Sequence, residues 1–123
     1  MALESETSVV NSNPANVTVT VRDAVGPGGE AATVDIFLTV DATDATFTDD
    51  EDTTPGYRRN AAKTLIVWKD QEVPARGELS VTACLTPNPE EEEGACIPVG
   101  CIVEGMYAGD PYLATLTAVV CFP

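Results

Sequence analysis

Alternation of apolar and polar residues constrains the fold of this chain more than any other feature. Successive side chains of a β-strand point to opposite faces, so a period of two predicts a strand with one buried and one solvated face. Val17, Val19 and Val21 share one parity, and hydroxyl or charged residues occupy the other. Further strand-like segments lie at residues 32–40, 65–69, 79–85, 97–103 and 113–122. The pattern therefore predicts an all-β protein.

The stretches between the predicted strands have the composition of loops. Residues 23–30 are too rich in glycine for regular structure, and the most helix-like stretch is a single turn at 58–64. Val9 and Val10 would add an edge strand. Roughly six to eight short strands predict an antiparallel β-sandwich, immunoglobulin-like or jelly-roll-like. We expect a single domain over residues 1–123, with an N-terminal arm and two acidic loops at residues 1–15, 41–56 and 87–94.

Three stretches of the chain form a recognisable series: Asn16–Asp23, Ala32–Asp41 and Val73–Gly77. The first is a strand that ends in a polar turn, the second reads ATVDIFLTVD, and the third is a VPARG corner before another strand. The series spans about half of the chain and resembles the immunoglobulin-like domains of prokaryotic surface and adhesion proteins. The resemblance implies a β-sandwich with a scaffolding or adhesive role and no catalytic residues. A long acidic insertion and the cysteine-bearing C-terminal third depart from the pattern.

The charge balance of the chain is strongly acidic. Twenty acidic residues against six basic ones give a formal net charge of −14. This charge repels nucleic-acid backbones and anionic membranes, so we expect no nucleic-acid partner and no membrane insertion. The 44% hydrophobic content is too high for a disordered acidic chain. Because the acids are spread over all segments, we expect a halophilic protein whose repulsion is screened in molar salt. The alternative is an ordinary acidic protein.

The N-terminus carries no visible targeting segment. Met1–Thr7 lacks the basic start and the apolar stretch of a secretory signal. The longest apolar runs, at 65–68 and 118–122, are far shorter than the roughly 20 residues of a membrane-spanning helix. We therefore expect no signal peptide, with a mature form whose leader has been removed as the alternative. The expected location is a virion or an extracellular surface.

Histidine is absent from the sequence. Its absence removes Ser-His-Asp and Cys-His catalysis, histidine-ligated metals and imidazole acid–base chemistry. The acids lie in solvated runs rather than as isolated pairs, which disfavours a glycosidase. We therefore expect a non-enzymatic protein without a cofactor.

Four cysteines lie in the last third of the chain, namely Cys84, Cys96, Cys101 and Cys121. Their even number and β-rich setting favour disulfides, with a four-thiolate zinc site and free thiols as alternatives. If residues 87–94 close a hairpin, Cys84 lies opposite Cys96. Cys101 then pairs with Cys121, and this is the pairing that we favour. The rival pairing closes a tight loop between Cys96 and Cys101, which leaves the other two cysteines to bridge neighbouring strands.

Acidic residues crowd two of the predicted loops. Glu90 to Glu93 occupy one of them. The other holds the candidate calcium ligands Asp41, Asp44, Asp49, Asp50 and Asp52. Either loop has enough carboxylate oxygens for Ca²⁺, but neither has the ligand spacing and turn glycine of a calcium-binding loop. We expect solvated charge in both loops, with a Ca²⁺ site as the alternative.

Basic residues cluster in one part of the chain. The candidate partner-contact residues there are Tyr57, Arg58, Arg59, Lys63 and Trp68. On an otherwise anionic surface, such a cluster fits an acidic neighbour, including a second copy of this chain. Local pairing with the acids at 49–52 is the alternative.

These features together predict a structural protein of a larger assembly, with protein subunits of that assembly as its partners. An acidic surface, no visible signal peptide and cysteines that meet an oxidising medium only outside the cell fit the virion of a virus with a halophilic host. The protein would be a minor capsid, decoration or tail-associated protein. The alternative is a cell-surface or secreted immunoglobulin-like domain that is adhesive or binds glycans.

Overall fold

A computed structural model describes residues 3–23, 31–48 and 54–123 of the chain. This part of the chain forms nine strands and no helix, and so none of it is a helix long and apolar enough to cross a membrane. The strands are β1 (Leu3–Val10), β2 (Ala15–Asp23), β3 (Ala32–Thr39), β4 (Ala45–Phe47), β5 (Tyr57–Arg59), β6 (Leu65–Val73), β7 (Glu78–Pro87), β8 (Cys96–Tyr107) and β9 (Asp110–Cys121).

The strands form two antiparallel sheets. The four-stranded sheet has the order β1-β2-β7-β4, and the five-stranded sheet has the order β5-β6-β3-β8-β9. The predicted all-β sandwich is confirmed. The strand count exceeds the expected six to eight because the short strands β4 and β5, of three residues each, add to the longer ones.

The core lies between the two sheets and follows the predicted parity. Val17, Val19 and Val21 of β2 are fully buried, and the inward residues of β3 are buried opposite them. The largest fully buried side chains are Trp68, Phe47, Ile36, Leu38, Ile66 and Leu85. Burying each such side chain contributes roughly 1.5–3 kcal/mol to folding. The sequence alternation thus specifies which face of each long strand meets the core.

Two expected loop-like segments contain more or less structure than predicted. The N-terminal arm over 1–15 contains β1, which includes the expected edge strand at Val9 and Val10, extends to Leu3 and pairs with β2. Leu3 is buried, and the residues of its parity face the core. The turn at 58–64 is not helical. Asn60 Oδ1 accepts hydrogen bonds there from the backbone amides of Thr64 and Leu65, with N–O distances of 2.8 and 3.0 Å. This side-chain contact favours a tight link between β5 and β6 over a helical turn.

The β8–β9 hairpin is the longest paired element. Its two strands run in register from Cys96–Cys121 to Tyr107–Asp110. Ala108 and Gly109 connect them with φ angles of 51° and 83°. Positive φ at both central residues matches the twist of a tight two-residue hairpin. This hairpin forms one edge of the five-stranded sheet and a large part of its outer surface.

A buried carboxylate ties three parts of the fold together. The Asp23 side chain accepts a hydrogen bond from the Tyr107 hydroxyl at 2.9 Å and another from the Arg76 amide at 2.8 Å. The Asp23 amide donates to the Gly77 carbonyl at 2.9 Å. The ends of β2 and β8 therefore meet the VPARG corner between β6 and β7.

Candidate partner-binding surface

The outer face of the four-stranded sheet is mostly polar, and Val10 of β1 is an exposed apolar side chain on it. The hydroxyls of Thr18 and Thr82 lie 2.9 Å apart, and those of Thr20 and Ser80 lie 2.8 Å apart. Arg22 forms ion pairs with two glutamates on neighbouring strands, which raise the pKa of its guanidinium. Cross-strand pairs of this kind commonly stabilise a solvent-exposed sheet face.

The outer face of the five-stranded sheet instead carries apolar side chains. Phe37 of β3 lies directly between Val67 of β6 and Ile102 of β8 in the strand register. Neighbouring strands are about 4.8 Å apart, so these three side chains form a continuous row. The row extends towards the hairpin edge, where Leu113 is 68% exposed and Met106 is 52% exposed. We call these five residues the apolar row.

Two open depressions lie at the hairpin end of the apolar row. Their volumes are about 520 and 370 Å³. Both are lined by Asp35, Glu104, Gly105 and Met106. The backbones of β3 and β8 are very close here. A Cβ atom on Gly105 would lie only 2.3 Å from the Thr33 carbonyl oxygen. The floor of this part of the face is therefore backbone.

The same end of the face is acidic. Asp35, Asp70 and Glu104 line the larger depression. We call these three residues the acidic end of the face. Asp35 accepts a hydrogen bond from the Asp70 amide at 2.8 Å, and the strand register shifts beside it between Val34 and Ile36. Lys69 Nζ lies 4.0 Å from the Asp35 carboxylate, and its side chain is 60% exposed.

The structure separates the members of the predicted basic cluster. Trp68 is fully buried. Its side chain lies on the inward face of β6, and so it belongs to the core rather than to a contact surface. Tyr57 packs on it with ring centroids 5.9 Å apart. Arg59 donates to the Phe47 carbonyl at 3.1 Å and so connects β5 to β4.

Of the predicted contact residues, Arg58 and Lys63 remain exposed. Arg58 donates to the Tyr57 carbonyl at 2.8 Å. Residues 49–52, the expected local partners of the cluster, lie outside the described residues. Contact of Arg58 and Lys63 with an acidic partner stays a prediction.

The structure corrects the expected cysteine pairing. Cys96 and Cys121 form a disulfide, because they face each other across the β8–β9 register with Cα atoms 4.0 Å apart. The favoured Cys84–Cys96 and Cys101–Cys121 pairs do not form. Residues 87–94 do not close a hairpin, since β7 and β8 belong to different sheets. The rival Cys96–Cys101 loop does not form either, because both residues lie within β8.

The other two cysteines form no disulfide and lie on different sheets. Cys84 is half-buried and its thiol donates to Asn16 Oδ1 at 3.0 Å. Cys101 is buried in the core, and desolvation raises the pKa of its thiol to about 11. A zinc site of four thiolates does not form from this arrangement.

The candidate calcium ligands fall into two groups. Asp49, Asp50 and Asp52 lie outside the described residues. The Asp41 carboxylate accepts hydrogen bonds from the Thr43 amide at 2.9 Å and the Thr43 hydroxyl at 2.8 Å, which lower its pKa. Asp41 therefore closes a turn before β4. Within residues 3–23, 31–48 and 54–123, no group of three or more Cys, Asp or Glu side chains is placed to hold a metal ion. Binding of Ca²⁺ stays a prediction for titration calorimetry.

Comparison with known proteins gives structural matches alone. No protein-family model matches the sequence, and no curated protein matches it. The solved structures that it resembles include the sixth cohesin of scaffoldin B from Acetivibrio cellulolyticus, in complex with a dockerin. The cohesin is 13% identical, with full coverage of both chains and a TM-score of 0.68.

Two further matches come from other bacteria. The major pilin subunit BcpA of Bacillus cereus is 11% identical over 98% of this chain, with a TM-score of 0.59, and this chain spans 40% of the pilin. The collagen-binding domain of a Staphylococcus aureus adhesin is 7% identical over 94% of this chain and 96% of that domain, with a TM-score of 0.56. The fold is an immunoglobulin-like β-sandwich. The resemblance seen in the sequence is thus confirmed for the fold.

The exposed members of the apolar row were not among the predicted site residues of this immunoglobulin-like domain. Phe37 lies on the outer parity of β3 and is half-buried. Ile102, Met106 and Leu113 were not singled out. A signal was available for Phe37, because Thr33, Asp35 and Thr39 share its parity. Ile102 and Met106 share theirs with Pro98 and Gly100, so their parity is less distinctive.

Proposed function

We propose that this protein is a non-enzymatic binding domain that presents the outer face of its five-stranded sheet to another protein. The observation that carries the proposal is the difference between the two outer faces. The outer face of the four-stranded sheet carries cross-strand hydroxyl pairs and ion pairs. The outer face of the five-stranded sheet exposes the apolar row. An apolar surface of this kind on an otherwise charged protein is typical of an interaction site.

The comparisons and the disulfide support a location outside the cell. Cohesin, pilin and collagen-binding domains with this fold are proteins of scaffoldins, pili and adhesins. The Cys96–Cys121 disulfide is a cross-link that persists in oxidising compartments. We therefore place the domain at a cell surface or in an extracellular assembly, where it is adhesive or structural.

A virion protein was the first expectation from the sequence. Neither the fold nor the comparisons support a virion or a halophilic viral host. The cell-surface alternative accounts for the same acidic surface and disulfide, and for the structural likeness as well. We therefore prefer it.

The proposal predicts that captured partners depend on the apolar row. The domain would be immobilised and exposed to the extracellular and surface-protein fraction of the producing cells. The test variant is Ile102→Gln/Leu113→Gln. The control is Ser8→Gln/Val10→Gln, which alters two exposed residues of β1 on the other sheet. We expect proteins held by the wild type and the control to fall by about tenfold or more on the test variant.

Either of two results would contradict the proposal. One is a captured set that is the same for all three proteins. The other is a wild-type domain that holds no protein above the level of an empty matrix. Circular dichroism and the unfolding midpoint of each variant establish that the fold is retained.

A further inference from the structure

The chemistry of the partner follows from the hydrophobic and charged groups at one end of the outer face. This inference rests on the proposed function, because it concerns the same face. We infer that the partner is a different protein that presents a lysine or arginine beside an apolar side chain, and that this pair seats at the β3–β8–β9 end of the face.

The apolar part of the proposed contact is Ile102, Met106 and Leu113. In the strand register Glu104 lies opposite Leu113, and Ile102 and Met106 flank Glu104 on the same side of β8. Diagonal neighbours on adjacent strands are within reach of long side chains. An apolar side chain of the partner can therefore cover two of these three residues while it stays next to a carboxylate.

The shape of the surface favours an inserted side chain over a flat contact. Both depressions open beside Met106 and Glu104, and one is also lined by Pro111 and Leu113. Their floor is backbone at Gly105, where β3 and β8 leave no room for a Cβ atom. A lysine or arginine stem fits such a surface, since its methylene groups pack on apolar atoms while its charged head remains near water.

The negative charge at this end of the face favours the cationic head group of a partner lysine or arginine. Within the described residues, the Glu104 side chain has no hydrogen bond or ion pair, and the Asp35 carboxylate has an ion pair with Lys69 Nζ at 4.0 Å. On the other sheet, Glu6 and Glu78 both pair with Arg22. The acidic end thus offers a carboxylate that the protein itself leaves without a cation. Opposite charge across an interface directs docking and excludes wrong partners.

A second copy of the chain is a weaker occupant of this end. Each copy carries a net charge of −14, so two copies repel each other at ordinary ionic strength. Two of the exposed cations, Arg58 and Lys63, lie around β5 and β6, at the opposite edge of the sheet from β9. A basic segment of another protein meets no such repulsion.

The probe for this inference is a pair of synthetic peptides at 150 mM NaCl. One alternates lysine and leucine, and the other has glutamate in place of each lysine. Binding to the full chain labelled with nitrogen-15 is followed by NMR. We expect saturable shifts for the lysine peptide at the amides of Ile102, Glu104, Met106 and Leu113, and none there for the glutamate peptide.

A matched pair of variants separates this site from general charge attraction. Glu104→Gln/Met106→Gln removes one acid and one exposed apolar side chain from the site. Glu4→Gln/Val10→Gln removes the same two kinds of group from β1 on the other sheet, where both are exposed. We expect the first to weaken binding of the lysine peptide by about tenfold or more, and the second by less than about twofold.

Several outcomes would overturn the inference and leave the proposed function standing. These are equal losses for the two variants, shifts spread over the acidic loops, or no binding of the lysine peptide while capture by the apolar row persists. Sedimentation that shows a dimer lost in Glu104→Gln/Met106→Gln would assign the face to a second copy and also overturn it. Capture that does not depend on the apolar row refutes the proposed function itself.

Discussion

At the scale of single residues, the buried contacts of Asp23 and Cys101 show how polar groups fit into this core. Asp23 is 6% exposed, and its carboxylate has a hydroxyl and an amide donor within hydrogen-bond distance. Cys101 is 1% exposed and lies between Leu38 and Leu116 in the register. The first is stabilised by donors and the second by remaining neutral.

Replacing Tyr107 with phenylalanine removes one donor from the buried carboxylate. A hydrogen bond to a charged group contributes roughly 1.5–3 kcal/mol, so we expect Tyr107→Phe to lower the free energy of unfolding by that amount. Urea unfolding measures the change. Tyr112→Phe is the control, because its hydroxyl bonds Ser5 in a half-buried site and should matter less. Equal effects of the two variants would contradict this account of Asp23.

The thiol of Cys101 should resist alkylation in the folded protein. With a pKa of about 11, only roughly 0.1% of this thiol is ionised at pH 8, and the thiolate is the reactive form. We expect iodoacetamide to label Cys84 first and to reach Cys101 after unfolding. Peptide mapping by mass spectrometry follows both sites. Without reductant, the Cys96–Cys121 disulfide should remain unlabelled, and label there would contradict the assigned pairing.

At the scale of elements, the β3–β8 contact determines the shape of the outer face. The two strands pair from Thr33–Met106 to Thr39–Gly100. Glycines of β8 stand near both ends of this pairing, but they differ in what surrounds them. A Cβ atom at Gly105 meets the Thr33 backbone, whereas one at Gly100 meets the Thr39 hydroxyl at 2.8 Å. Backbone cannot rotate away as a hydroxyl can.

Alanine at Gly105 should therefore be more costly than alanine at Gly100. We expect Gly105→Ala to destabilise the fold by about 1–3 kcal/mol, which is the usual cost of overpacking, and Gly100→Ala to cost less. Chemical unfolding of both variants gives the comparison. Should Gly100→Ala prove equally destabilising, the close approach of β3 and β8 would not be what requires glycine at position 105.

At the scale of the whole molecule, acidic residues far outnumber basic ones, 20 to six. In the part of the chain that the structure describes, the ion pairs are Arg22 with Glu6 and Glu78, and Lys69 with Asp35. These few pairs compensate little of a net charge of −14. Repulsion among the remaining carboxylates opposes the folded state, because folding brings them closer together.

Salt should therefore stabilise the protein, because it screens this repulsion. We expect the thermal unfolding midpoint to rise with KCl concentration. Most of the rise should occur below about 1 M, because at about 1 M the Debye length has already fallen to about 3 Å. Differential scanning calorimetry over a salt series measures it. Neutralising Glu90–Glu93 with glutamine should reduce the slope. A midpoint that does not change with salt would contradict a charge-limited stability.

Much of the fold and little of the candidate surface could be predicted from the sequence. Period two determined that β2 and β3 bury their valine, isoleucine and leucine side chains, because alternation fixes the face whatever the strand pairs with. Cysteine pairing could not be predicted, since it depends on the sheet that each strand joins. β7 and β8 follow each other in the chain yet lie in different sheets. β8 pairs with β9 instead, and this pairing places Cys96 beside Cys121.

The fold class, the buried parity and the acidic surface could be predicted because they are local or summed properties of the chain. Which residues share a surface depends instead on the tertiary structure. It buried Trp68 within the predicted basic cluster, and it brought Phe37, Ile102 and Leu113 together from three separate strands. Strand order decides such neighbours, and it results from packing two whole sheets against each other.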